Sequence, residues 1–250
     1  MLVAPFGFRG QLVRAFPSAA AGWAALGVAA PDYIWPLQET SGNLVDTVAA
    51  AELVPTGTGG PDLGIAVSSP NRLGIRFDGT NQAAVATSPA FLDVDATTSL
   101  TFAIGFMMPT LPSASRGLAG KRNSAAPLEG YSASMSTAGN LHMVIDSGAP
   151  AIAASGTQNH ADALPHGAFF VIDRSGRSGE VIRIHSDKED VTSSDISGVG
   201  SLSTSSTFRL GVLPGIASSA SEGLLMFYAA AWVGTALNAT DFAKWWGSGS

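Results

Sequence analysis

The residues best suited to chemistry fall in one stretch: Lys121, Arg122 and Asn123, with Tyr131 shortly after. Two cations, an amide and an aromatic ring are the parts of a saccharide site, the ring as a platform and the polar groups for hydroxyls. Lys121, Arg122, Asn123 and Tyr131 are therefore the expected ligand-binding set, flanking one variable loop. An ordinary charged turn is the plainer reading of the first three.

Hydrolysis of a glycosidic bond asks for two carboxylates, about 5 Å apart for retention or roughly 6.5–9.5 Å apart for inversion. No strand-spaced pair is present. Glu189 and Asp190 are adjacent, so they point to opposite faces of any strand, and Glu129 and Glu180 each stand alone beside a glycine. Ser132 sits in "GYSAS" rather than in a Gly-x-Ser-x-Gly elbow, and there is no cysteine. His160 and His166 are six apart in an expected loop, a poor chelating spacing, while His142 and His185 fall on polar strand faces and read as surface groups. No catalytic residue and no cofactor is expected, and the chain reads as a non-enzyme. Calcium is the one ion left open, because hard oxygen ligands occur in turns at Asp78, Asn81, Asp93 and Asp95 and at the strand end Asp146. Turn chemistry explains the same residues, and no ligand set is assigned.

The elements that must position these groups are strands. "RLGIRFDGT" sets Leu73, Ile75 and Phe77 against polar neighbours and ends on an Asp-Gly turn, and "SLTFAIGFMMP" puts Leu100, Phe102, Ile104 and Phe106 on one face. "NLHMVIDSG" and "TFRLGVLPG" alternate in the same way, and "GAFFVIDRSGRSGEVIRIHSD" reads as a hairpin turning at Ser175 to Gly179. No segment between them has a helical period over ten residues, so the expected class is all-β: a two-sheet antiparallel jelly-roll sandwich. Leu224 to Val233 is apolar on both faces, as in a central strand covered on both sides. Asn238 then reads as an N-cap with Asp241 three residues on, opening a short C-terminal helix that carries Phe242 and Trp245 on one side.

At 250 residues the chain suits one large all-β domain or two small ones. Charged residues are 13%, about half the usual share, and the net charge is −6, so a phosphate backbone is repelled and nucleic acid is excluded as a partner. The longest apolar window, Gly223 to Gly234, falls short of the roughly 20 residues of a membrane span. Near the N-terminus, Arg9 and Arg14 interrupt the apolar residues and Pro5 and Pro17 break a helix, so a secretory signal is not expected. Residues 1–30 form an expected N-terminal arm before a jelly-roll domain at 31–250. Thirty mostly apolar residues without alternation must lie against something, and Phe6, Phe8, Leu12, Val13, Phe16 and Trp23 are the expected interface anchors. The arm either docks on a neighbouring protein subunit or folds back on its own sandwich.

In order, "YIWPLQETSGNLVDTV", "GIRFDGTNQAAVA", "SLTFAIGFMMP", "LAGKRNSAAPLEGYSASMSTAGNLHMVI", "HGAFFVIDRSGRSGEVIRIHSD" and "EGLLMFYAAAWVGTALNATDFAKWW" resemble the strand series of the concanavalin A-like lectin/glucanase jelly rolls. The resemblance is to their laminin-G-like branch, which includes pentraxins, and covers about residues 31–246. One departure is "SDKED" at Ser186 to Asp190, where the family often places an Asp-Gly turn. The Glu-x-Asp-x-x-Glu run of hydrolases with this fold is absent from the chain. What the resemblance implies is a non-enzymatic structural or adhesive protein of a larger assembly, with a lectin-like jelly roll that takes a cell-surface glycan. Family association points to a phage virion surface, as a decoration or tail/fibre protein. The alternative is a free, extracellular carbohydrate-binding lectin or an accessory module of a glycan-active enzyme.

Overall fold

A computed structural model describes residues 20–67, 72–77, 82–124, 128–148, 151–176, 179–211 and 223–247. Two eight-stranded sheets pack face to face, and every described strand pairing is antiparallel. The first sheet runs β14 (Asp190–Thr192), β13 (Val181–Ser186), β12 (Pro165–Asp173), β7 (Leu100–Met107), β16 (Leu224–Val233), β5 (Leu73–Phe77) and β4 (Asp62–Ala66), with β1 (Tyr33–Trp35) also on β16. The second runs β11 (Ile152–Ser155), β10 (Leu141–Asp146), β9 (Gly130–Met135), β8 (Arg116–Arg122), β15 (Arg209–Gly211), β6 (Ala83–Ala86), β3 (Glu52–Thr56) and β2 (Leu44–Val45). The all-β, two-sheet expectation holds.

Period-two alternation places the core. Leu100, Phe102, Ile104 and Phe106 of β7 face the second sheet together with Phe170 and Ile172 of β12. The Phe102 ring lies 5.2 Å from that of Phe170 and 6.0 Å from that of Tyr131 across the sandwich. Asp46, in the motif "YIWPLQETSGNLVDTV", is buried and accepts hydrogen bonds from the backbone amides of Ile34, Val48 and Ala49. Its carboxylate therefore shapes the chain rather than facing a ligand.

β16 is apolar on both faces because both are covered. Leu224, Met226, Ala229 and Ala231 enter the core between the sheets, while Leu225, Phe227, Tyr228, Ala230 and Trp232 belong to a second apolar cluster on the outer face. Strict alternation would separate Phe227 from Tyr228. A bulge against β7 between Met226 and Tyr228 turns both rings outward. Gly105 makes the room, since a Cβ there would lie 2.5 Å from the Phe227 ring.

Two short helices close the outer cluster, α1 (Ala20–Ala25) and α2 (Ala239–Trp246). α2 begins with a capping box. Asn238 accepts from the amides of Thr240 (2.8 Å) and Asp241 (3.1 Å), and the Asp241 carboxylate accepts the Asn238 amide (3.2 Å). It ends at Gly247 in the left-handed region, and Phe242 and Trp245 turn inward as expected. Trp23 corrects its assignment as an anchor for a partner. It is 0% exposed, edge-on to Trp232 at 4.8 Å, within the molecule's own outer cluster. The chain leaving α1 is tied down as well, with Trp232 Nε1 donating to Ala29 O (2.8 Å) and Lys244 Nζ to Gly27 O (2.9 Å). The described part of the arm thus folds back on its own sheet. Phe6, Phe8, Leu12, Val13 and Phe16 lie outside the described residues.

Candidate functional site

The expected ligand set divides. Lys121 and Tyr131 face each other across β8 and β9, and both are 0% exposed, pointing into the end of the sandwich. The Lys121 ammonium donates to the carbonyls of Pro89 and Phe91 and to the Asp93 carboxylate, and the Tyr131 hydroxyl donates to Leu92 O (2.9 Å). Burial, with the Asp93 charge adding to it, pushes the Tyr131 hydroxyl well above the usual phenol range. These two side chains hold the 88–95 segment from inside, so neither meets a ligand at the surface. Arg122 donates from Nε to Leu128 O (2.9 Å) and lies 3.8 Å from Asp146, and Asn123 accepts the hydroxyls of Thr204 (2.6 Å) and Ser206 (3.2 Å). They brace the ends of a hairpin.

The described acids considered for calcium are likewise engaged within the chain. Asp93 pairs with Lys121, Asp95 accepts the Thr97 and Thr98 amides, and Asp146 accepts the Gly148 amide. Asp78 and Asn81 lie outside the described residues. Among the described residues, no group of three His, Asp or Glu stands close enough to hold a metal ion.

Two histidines expected in a loop meet in the interior. His166 is in β12, and its ring centroid is 5.1 Å from that of His160. His166 Nδ1 faces Asp187 Oδ2 and Nε2 faces Asp162 Oδ1, both at 2.8 Å, while His160 bridges Gln158 O (2.9 Å) and Ser186 Oγ (3.1 Å). Burial lowers the His160 pKa, and the His166 charge adds to that. Lys188 reaches Asp162 (2.8 Å), and the Glu189 carboxylate accepts the Thr157 amide (2.8 Å) and the Gln158 amide (3.2 Å). The rebuilt "SDKED" turn is thereby fastened to the 156–164 loop.

On the outer face of β12 and β13 the molecule opens into a cleft of 580 Å³, lined by Asp173, Ser175, Arg183, His185 and the 234–239 segment. That volume suits a small-molecule ligand. The sequence builds it simply. Arg183 and His185 are alternate residues of β13 and share its outer face, and Asp173 ends the neighbouring strand. Gly234, at φ 79°, turns the chain back after β16. Buried Thr101 then pins the far wall, donating to Thr235 O (2.9 Å) and accepting the Leu237 amide (3.0 Å).

Asp173 Oδ1 accepts the amide (3.0 Å) and hydroxyl (2.7 Å) of Ser175, and Oδ2 stands 3.4 Å from the Arg183 guanidinium. His185 corrects its surface reading, being 6% exposed. Its Nδ1 pairs with Asp190 Oδ1 at 2.8 Å, and its buried Nε2 finds no partner among the described residues. An unsatisfied buried polar atom is costly, on the order of 1–3 kcal/mol, and among the described residues lining the cleft His185 is the one that carries such an atom. Polar alternation on β13 was the sequence signal for it; the wall at 234–239 gave none.

No family model matches the chain, and no curated protein matches it in sequence. Solved structures match it in shape. The binding domain of paraclostridial mosquitocidal protein 1 superimposes with a TM-score of 0.63 at 11% identity, over 86% of this chain and 51% of that one. Trypanosoma rangeli sialidase in complex with 2,3-difluorosialic acid gives 0.57 at 12% identity, over 89% of this chain and 35% of the sialidase. The botulinum neurotoxin serotype D binding domain gives 0.54 at 10% identity, over 85% and 49%. The chain thus spans between a third and about half of these solved chains. At such identities the likeness is one of fold, a two-sheet β-sandwich.

Proposed function

We propose that the protein is a non-enzymatic, glycan-binding β-sandwich that serves as an adhesive part of a larger assembly, with the cleft over β13 as its binding site. The observation that carries this reading is the buried, unpartnered His185 Nε2 beside the Asp173–Arg183 pair. Donors and acceptors converging in one concavity suit a polyhydroxylated ligand, since each hydroxyl both donates and accepts. Sharing a fold with two toxin binding domains and a sialidase supports a recognition role. The motif order supports placing the fold in the laminin-G-like branch. The non-enzymatic part is supported by carboxylates already committed to the chain's own amides, as at Asp46 and Glu189.

In this reading the assembly is a phage virion surface, and Phe6, Phe8, Leu12, Val13 and Phe16 are the proposed contacts to neighbouring subunits. Many copies on one particle would turn weak single-site contacts into avidity. A glycan array probed with the wild-type protein and with Asp173→Ala tests the binding site. Glycan signals that fall at least tenfold in the variant are expected. An array with no signal above background would sink the reading.

A further inference from the structure

The charges around the cleft go further than its shape. Among the described residues lining it, Arg183 is the only lysine or arginine, and it already faces Asp173 at 3.4 Å. Asp190 stands behind His185, and the Asp241 carboxylate receives the amide of the lining residue Asn238. The Asp190 carboxylate takes up Nδ1 of His185 and leaves Nε2 as the ring nitrogen for a ligand hydroxyl. An anionic ligand would therefore meet the Asp173 carboxylate, with Asp190 close behind and the one cation already shared.

The geometry points to an uncharged saccharide as the cleft's ligand, an inference that rests on the glycan reading above. One hydroxyl pairs with His185 Nε2, and a neighbouring hydroxyl accepts from Arg183 while donating to Asp173. His185 and Arg183 are two residues apart on one strand, about 6.6 Å, comparable with the span of one pyranose ring. Acidic sugars, sialic acid and uronic acids among them, are disfavoured by the Asp173 carboxylate.

The experiment uses the full chain at pH 7.5 on an array that carries each neutral glycan with and without a terminal sialic or uronic acid. The best neutral binder is then titrated calorimetrically as its methyl glycoside. Neutral members should bind, their acidic counterparts at least tenfold more weakly. Asp173→Ala and His185→Phe should each cut neutral binding at least tenfold, and His185→Gln, which keeps a polar group, should recover part of it. Circular dichroism melts identify any variant that fails to fold. Acidic glycans that bind more tightly, and lose that binding in Arg183→Ala, would overturn the uncharged ligand and leave the glycan reading standing. Neutral binding untouched by these substitutions in folded protein moves the site elsewhere and overturns the inference. An array without binding of either kind overturns both.

Discussion

Trp23 and Trp245 stack with ring centroids 6.3 Å apart and planes 11° from parallel, although they come from near opposite ends of the chain. Each also contacts the sheet beneath, Trp23 through Trp232 at 4.8 Å and Trp245 through Phe169 at 4.9 Å. The outer face of the first sheet is thus sealed by two helices that depend on each other.

Trp23→Ala should therefore cost about 3–5 kcal/mol of unfolding free energy, as expected for truncating a buried aromatic residue. Deleting residues 1–30 should lower the unfolding free energy as well. Urea unfolding checks both. A loss below about 1 kcal/mol, less than burial of one large side chain contributes, would mean that α1 does not dock as described.

Gly105 and Gly167 are spaces that rings fill. A Cβ at Gly105 would lie 2.5 Å from the Phe227 ring, and one at Gly167 would run into the indole of Trp246. Alanine at either site should destabilise by about 1–3 kcal/mol through overpacking. For Gly167→Ala, pairing with Trp246→Leu should recover part of the loss, so in a double-mutant cycle the pair should lose less than the sum of the two single losses. Strictly additive losses would argue against the contact.

Lys121 separates the structural reading from the sequence expectation. Lys121→Met removes the ammonium that holds Pro89, Phe91 and Asp93, at a cost of about 3 kcal/mol, reduced to the extent that Asp93 reaches solvent. Glycan binding by the folded variant should be unchanged. A variant of full stability that loses binding would restore Lys121 to the ligand site.

Asp162 makes part of the stability depend on acid. Burial would raise its pKa, but hydrogen bonds from Lys188 and His166 outweigh that and hold it at about 2. A folded-state pKa below the unfolded value stabilises above roughly pH 3.9, and the contribution is lost as pH falls through about 2. The difference between wild type and Asp162→Asn in urea unfolding should be on the order of 1 kcal/mol at pH 6, once solvent screening is allowed for, and should vanish near pH 2. A difference that persists at pH 2 would mean that another group holds the loop.

The sequence by itself determined what depends on neighbours along the chain. Side-chain direction in a strand has period two, so Leu100, Phe102, Ile104 and Phe106 disclose a core face without reference to any other strand. A capping box closes within four residues, so Asn238 and Asp241 announce α2. The two-faced hydrophobicity of β16 required cover on both sides, yet which segment would supply it was not written there. Trp23 looked equally suited to a partner. Lys121 continued the inward parity of Ala119, but its charge argued for the surface, and the carbonyls of Pro89 and Phe91 that make burial tolerable come from a remote loop. The tertiary structure alone decided the cleft. Asp173, Arg183 and His185 are ordinary polar strand residues until the chain turns at Gly234 and lays residues 234–239 against them. Burial and lost hydrogen bonding depend on which distant segments meet, and local periodicity does not encode that.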